Sequence, residues 1–157
     1  METLARSSTF RHTAIRIDTH HPTEFLDLTD RVEAIVAESG TRTGLVNIQT
    51  LHTTTAVIVN EHEPLLLTDL AALLERLAPQ DEVYRHDNVT LRTTNCVLGE
   101  RPNGHSHCRS LLLGASVCLN VVNGRLQLGR WQRVFLVELD GPRTRDVSVM
   151  LAGDGDR

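Results

Sequence analysis

The chain contains no lysine: all sixteen of its basic residues are arginine. That absence excludes a lysine Schiff base, internal pyridoxal phosphate chemistry and a Walker A lysine. Any clamp for phosphate or carboxylate therefore relies on arginine, backbone N–H groups or a metal ion. Cysteine is scarce. Cys96, Cys108 and Cys118 form no C-x-x-C pair, and any disulfide would leave one of them over. They read as reduced thiols filling space, although Cys108, near two histidines, also suits a thiolate ligand. No apolar run approaches the ~20 residues that span a bilayer. Met1 to Arg6 lacks the basic and apolar regions of a signal peptide. A cytoplasmic location with no membrane partner is the expectation. Excess positive charge is missing too. The net charge of −4 argues against a general nucleic-acid binder, which needs a basic surface to neutralise phosphates.

What is present reads as one domain, residues 1–157, without repeats or linkers and long enough to bury a core. Thr9 to Ile17 alternates loosely like a strand. A helix is predicted from near Asp30, with Glu33 three residues on as in a capping box, to Gly40. Gly44 to Leu51 and Thr54 to Asn60 are rich in β-branched residues and read as strands. Pro64 opens a second helix with a leucine face, and Pro79 ends it. Tyr84 to Gly104 is irregular. Ser106 to Leu113 suits a short helix, and Ala115 to Val122 and Arg125 to Leu128 flank the hairpin signal Asn123-Gly124. Arg133 to Leu139 and Val147 to Leu151 read as further strands. This order predicts an α+β fold with helices to one side of antiparallel or mixed sheets.

Polar residues interrupt that pattern at recurring points. His52 stands before three threonines, with Asn60-Glu61 at the far end of the run. Imidazole there suits a metal ligand or a proton carrier, and a hydrogen-bonded strand histidine is the plain alternative. Tyr84-Arg85-His86-Asp87 and Asn103-Gly104-His105-Ser106-His107 add histidines at the ends of predicted elements. Imidazole is the usual ligand of zinc and related ions. Asp69, beside the apolar face of its helix, suits support of a histidine or a base, or else plain solvation. Trp131 reads as core, with Gln132 offering an amide contact. Arg143 and Arg145 follow the turn Asp140-Gly141-Pro142, either as an anion clamp or as solvated charges.

Taken in order, the run from His52 to Glu61, Asp69, Tyr84 to Asp87, Asn103 to His107, Leu113-Gly114, Gly124 to Gln132 and Asp140 to Arg145 resembles the YjbQ family. The resemblance extends over about residues 9–151. It implies an α+β fold with a β-sandwich-like core, a homotrimer with pockets near subunit contacts, and a secondary thiamine-phosphate synthase activity. Carried onto this sequence, the family's inward histidines fall on His52, His86 and His107, implied ligands of a divalent metal, zinc or magnesium. Asn60, Trp131, Gln132 and Arg143 fall on implied substrate-binding positions, and Glu61 and Asp69 on positions able to orient a histidine or handle a proton. Two features depart from the family pattern: a longer segment from Asp87 to Gly104, and Arg130 before the tryptophan.

The resulting expectation is a metal-dependent enzyme acting on small phosphorylated metabolites. Metal-assisted phosphoester hydrolysis is a variant of it. A non-catalytic trimer binding a metal or an anionic metabolite is the alternative.

Overall fold

The computed structural model describes residues 9–97 and 99–155. Strands β1 (Thr9–Asp18) and β2 (Glu24–Asp27) lead into helix α1 (Thr29–Ser39). Then follow β3 (Thr41–Thr50), β4 (Thr55–Glu61), α2 (Pro64–Leu77), a single 3₁₀ turn at Arg85–Asp87 and α3 (Gly104–Leu113). The chain ends in β5 (Ser116–Val122), β6 (Arg125–Leu126), β7 (Gln132–Glu138) and β8 (Thr144–Gly155). A five-stranded sheet runs β1-β8-β3-β5-β6 and a three-stranded sheet runs β2-β7-β4. Every ladder in both is antiparallel. The expected α+β class holds.

Strand β7 explains the layering. Its continuous run Val134-Phe135-Leu136-Val137 is fully buried, as a strand covered on both faces must be. Val134 and Leu136 join Val57 and the large sheet's Val46, Ile48, Val149 and Leu151 in one core. Phe135 and Val137 point the other way, into a second core with Ala56, Leu74 and partly buried Leu67 and Leu113. The small sheet thus lies between the large sheet and helices α2 and α3. Helix α1 feeds Val32 and Val36 into the inter-sheet core, each contributing about 1.5–3 kcal/mol by burial. Arg109 on α3 is buried and bonded to the Ala78 carbonyl and to Glu75, which ties α3 to α2.

Boundary differences have local causes. Helix α1 follows the N-cap residue Leu28, which has no side-chain cap bond, and its first N–H, that of Thr29, is accepted by the Asp27 carboxylate at 2.9 Å; the expected capping residue Asp30 pairs with Arg133 at 2.8 Å. Helix α2 begins on Pro64 as expected, and the Glu63 carboxylate accepts the N–H groups of Leu65 and Leu66. Asn123 and Gly124 both take positive φ, 54° and 77°, the requirement of a tight two-residue hairpin. Strand β2, which no sequence feature announced, pairs with β7 through Glu24–Asp27. Among the described residues no helix is long and apolar enough to cross a membrane.

Candidate functional site

His52 sits in the turn where the chain leaves the large sheet (β3) for the small one (β4), rather than within a strand. The hydroxyls of Thr50 and Thr55 meet across this turn, and the His52 N–H donates to Thr50 Oγ1 at 3.3 Å. The ring itself is anchored: His52 Nε2 accepts the backbone N–H of Asp146 at 2.9 Å. That bond uses the Nε2 lone pair, so the neutral ring carries its proton on Nδ1 and presents a donor. Burial first, then the Arg145 charge, pushes the His52 pKa below its ordinary value, which favours this neutral form.

His86 and His107 come together through one carboxylate. Asp87 Oδ1 accepts the N–H groups of Asn103 and Gly104, both at 2.9 Å, and so caps α3 with a negative charge where the helix favours one. This cap starts α3 at Gly104, two residues before the predicted Ser106. It also draws the 3₁₀ turn against the helix and sets the His86 and His107 rings edge to face, centroids 4.6 Å apart. Burial, followed by the neighbouring His86, pushes the His107 pKa down. His86 Nε2 is buried without a hydrogen-bond partner. His105 points elsewhere, as two residues on a helix require: its ring packs toward Tyr84 and its Nε2 meets Ser106 Oγ at 3.1 Å.

The three histidines of the expected ligand set line one cleft of about 420 Å³. Arg92, Glu100, Asn103, Asp140, Arg143 and Arg145 also line it. Each arginine has a carboxylate partner. Arg92 Nη1 donates to Glu100 at 2.6 Å, and Arg143 Nη2 to Asp140 Oδ2 at 2.8 Å. Arg145 donates two bonds of 2.6 Å to Glu138, a carboxylate with no exposed surface. Glu138 also accepts from Thr19 Oγ1 and from the N–H groups of Leu139 and Asp140. Burial alone would raise its pKa; the Arg145 pair, the Asp140 N–H and Thr19 outweigh burial and bring it below the ordinary value. Arg145 further donates to Thr54 at 3.1 Å, so the pair fixes the strand that offers Asp146 N–H to His52.

Other expected site residues lie away from this cleft. Asn60 and Glu61 end β4 opposite Arg133 and Gln132. Gln132 Oε1 accepts the Gly129 N–H at 2.8 Å, and Trp131 is 61% exposed with the Arg130 guanidinium 4.6 Å over its ring. This group stands at the far end of the β4–β7 ladder, about 20 Å from His52 at ~3.3 Å per strand residue. Asp69 is exposed on α2. Of the predicted substrate residues only Arg143 lines the cleft. Arg92, Glu100 and Glu138 carried no sequence signal; Asn103 and Asp87 were marked only by standing beside histidines. Among the described residues no group of three or more His, Cys, Asp or Glu side chains is arranged to hold a metal ion. The cleft does bring two imidazoles together, His86 and His107, and leaves His86 Nε2 without a partner.

Residues 13–154 match the family described as UPF0047 protein YjbQ-like. The chain is 38% identical over 130 residues to a UPF0047 protein of Methanothermobacter thermautotrophicus, covering 83% of each. It is 34% identical over 155 residues to one of Synechocystis, covering 96% of this chain and 99% of the other. A solved YbjQ-like protein of unknown function from Sulfolobus solfataricus P2 superposes with a TM-score of 0.85 at 32% identity, covering 94% and 100% of the two chains. A hypothetical protein of Aeropyrum pernix K1 gives 0.82 at 33%, covering 92% and 99%.

Proposed function

The chain belongs to the UPF0047 (YjbQ-like) family, and from that premise we propose that its histidine cleft binds a divalent metal ion together with a small phosphorylated metabolite. The observation that carries this reading is the paired His86 and His107, with a buried Nε2 lacking any partner, in a cleft lined by three arginines. His86 and His107 would hold the metal, zinc or magnesium, which supplies a Lewis acid to phosphoryl oxygens. His52 Nδ1–H would donate to an oxygen of the ligand. Arg143, 41% exposed at its side chain, is the arginine able to turn from Asp140 toward phosphate at least cost. Arg145 is committed to Glu138 and acts through the strand it fixes.

The finer reading is formation of thiamine phosphate, in which Arg143 and His52 would contact the departing pyrophosphate. Phosphoester hydrolysis would use the same contacts. Glu61 and Asp69, the expected proton handlers, lie outside the cleft, and its carboxylates Glu100 and Asp140 are each bonded to an arginine. That pairing favours the alternative of a binding protein without turnover.

A homotrimer completes the proposal. Asn60, Glu61, Trp131 and Gln132 form a polar and aromatic group remote from the cleft within one chain. A second copy would bring such a group to the exposed Leu51 and Leu111 beside the histidines.

The test is metal content of the wild type beside His86→Ala and His107→Ala, followed by assays of pyrophosphate release and phosphoester hydrolysis on metal-loaded protein. Equal metal in all three folded proteins overturns the ligand assignment. Tight phosphate-ester binding without turnover at any metal loading decides for the binding protein.

A further inference from the structure

We propose that Asn103 supplies a protein ligand to the cation held by His86 and His107, and that His52 is not a ligand. This deepens the metal reading above and rests on it. Among the described residues two buried side-chain polar atoms lack a partner, His86 Nε2 and Asn103 Oδ1, and both residues line the same cleft. Asn103 is 3% exposed. An amide oxygen only accepts, so what meets it is a cation or a hydrogen-bond donor and not a phosphate oxygen.

Its orientation is fixed from two sides. Nδ2 donates to Asp140 Oδ2 at 3.2 Å, and Asp140 is itself held by Arg143. Donation to a carboxylate raises the electron density on Oδ1, the way outer carboxylates tune metal ligands. On the backbone, Asp87 holds the Asn103 N–H and precedes the helix turn that carries His107. The Asn103 carbonyl, at the cap of α3, accepts the His107 N–H at 3.3 Å, and both residues line the cleft, while His86 adjoins Asp87 in sequence. One carboxylate therefore positions all three donors. His52, by contrast, spends its Nε2 lone pair on Asp146 N–H. Two imidazole nitrogens and an amide oxygen suit zinc, cobalt or nickel better than magnesium, with open positions left for water or a phosphate oxygen.

Titration of the purified protein with Co²⁺, followed by its visible absorption, tests the assignment. Wild type and His52→Ala are expected to bind Co²⁺ with affinities within about twofold, and Asn103→Ala at least about tenfold more weakly. In wild-type protein alone, saturation with Zn²⁺ should shift the Asn103 carboxamide and the His86 and His107 ring ¹⁵N signals, leaving His52 Nε2 in place. This needs no folded variant. Loss of Co²⁺ in His52→Ala, or an Asn103 signal unmoved by saturating Zn²⁺, overturns the inference and leaves the metal reading standing. A wild-type protein that takes up neither ion removes both.

Discussion

Removing Arg145 should be among the most damaging single changes available in this fold, and the damage should depend on pH. In Arg145→Met the two 2.6 Å bonds to Glu138 vanish, and a carboxylate with no exposed surface keeps only Thr19 and two backbone N–H groups. Breaking a buried pair from one side costs roughly 3–5 kcal/mol. Three surviving neutral donors place this case toward ~3 kcal/mol. Glu138→Leu should cost a similar amount, because Arg145 is 4% exposed and would be buried without its partner. The double variant removes both charges, and its loss should fall short of the sum by about 2–3 kcal/mol. Urea unfolding at pH 7 measures all four corners of the cycle.

The pH dependence supplies the sharper check. In the wild type the Glu138 carboxyl is held below its ordinary value, so its contribution is complete above the unfolded value, about 4.3, and is lost as the pH falls through the folded one. Without Arg145, burial dominates and raises that pKa. The variant then gains relative stability as acid neutralises the stranded carboxylate, and its deficit against wild type shrinks from pH 7 to pH 5. An additive double variant, or a deficit constant across that range, refutes the reasoning.

Three further outcomes follow from the same structure. Asp87→Ala removes the cap of α3 and should cost about 1 kcal/mol in urea unfolding, while Co²⁺ affinity falls further than stability because His86 and His107 lose their common anchor; unchanged affinity would separate the cap from the site. Burial alone would raise the Asp27 pKa, but Arg133, Thr29 and His62 hold it at about 2. Its contribution is therefore present above the ordinary carboxylate value and fades as the pH falls toward 2, and Asp27→Asn should flatten the unfolding midpoint between pH 4 and about 2; an unflattened profile removes Asp27 from the acid response. If a second copy completes the cleft, mixing unfolded His107→Ala and Trp131→Ala chains and refolding them together should recover ligand binding that neither has alone; a monomeric solution mass with no recovery sinks the shared site.

Most of the fold was legible because periodicity and punctuation agree with it. Gly40, Pro64 and Asn123-Gly124 each stand where a backbone requirement put them, and the apolar run of β7 announces a strand covered on both faces. Strand β2 was not legible: Glu24–Asp27 is four half-buried residues, too few for a period to show, and it exists because β7 offers it an edge. The start of α3 was misplaced for a similar reason. Its cap comes from Asp87, sixteen residues before Asn103, and a remote cap leaves no local signature.

The candidate site shows the same division more strongly. The histidines that line the cleft were visible as residue types, since His52, His86 and His107 stand at the ends of elements. Their roles were not visible, because those depend on which lone pair is already spent. The Asp146 N–H already occupies His52 Nε2, and that bond joins residues ninety-four apart. Asn103 shows the converse. Its amide is an ordinary helix-start residue by type, and only its burial, its bond to Asp140 and its empty Oδ1 single it out. A sequence records which groups can bind a ligand; the hydrogen bonds already made decide which of them are free to do so.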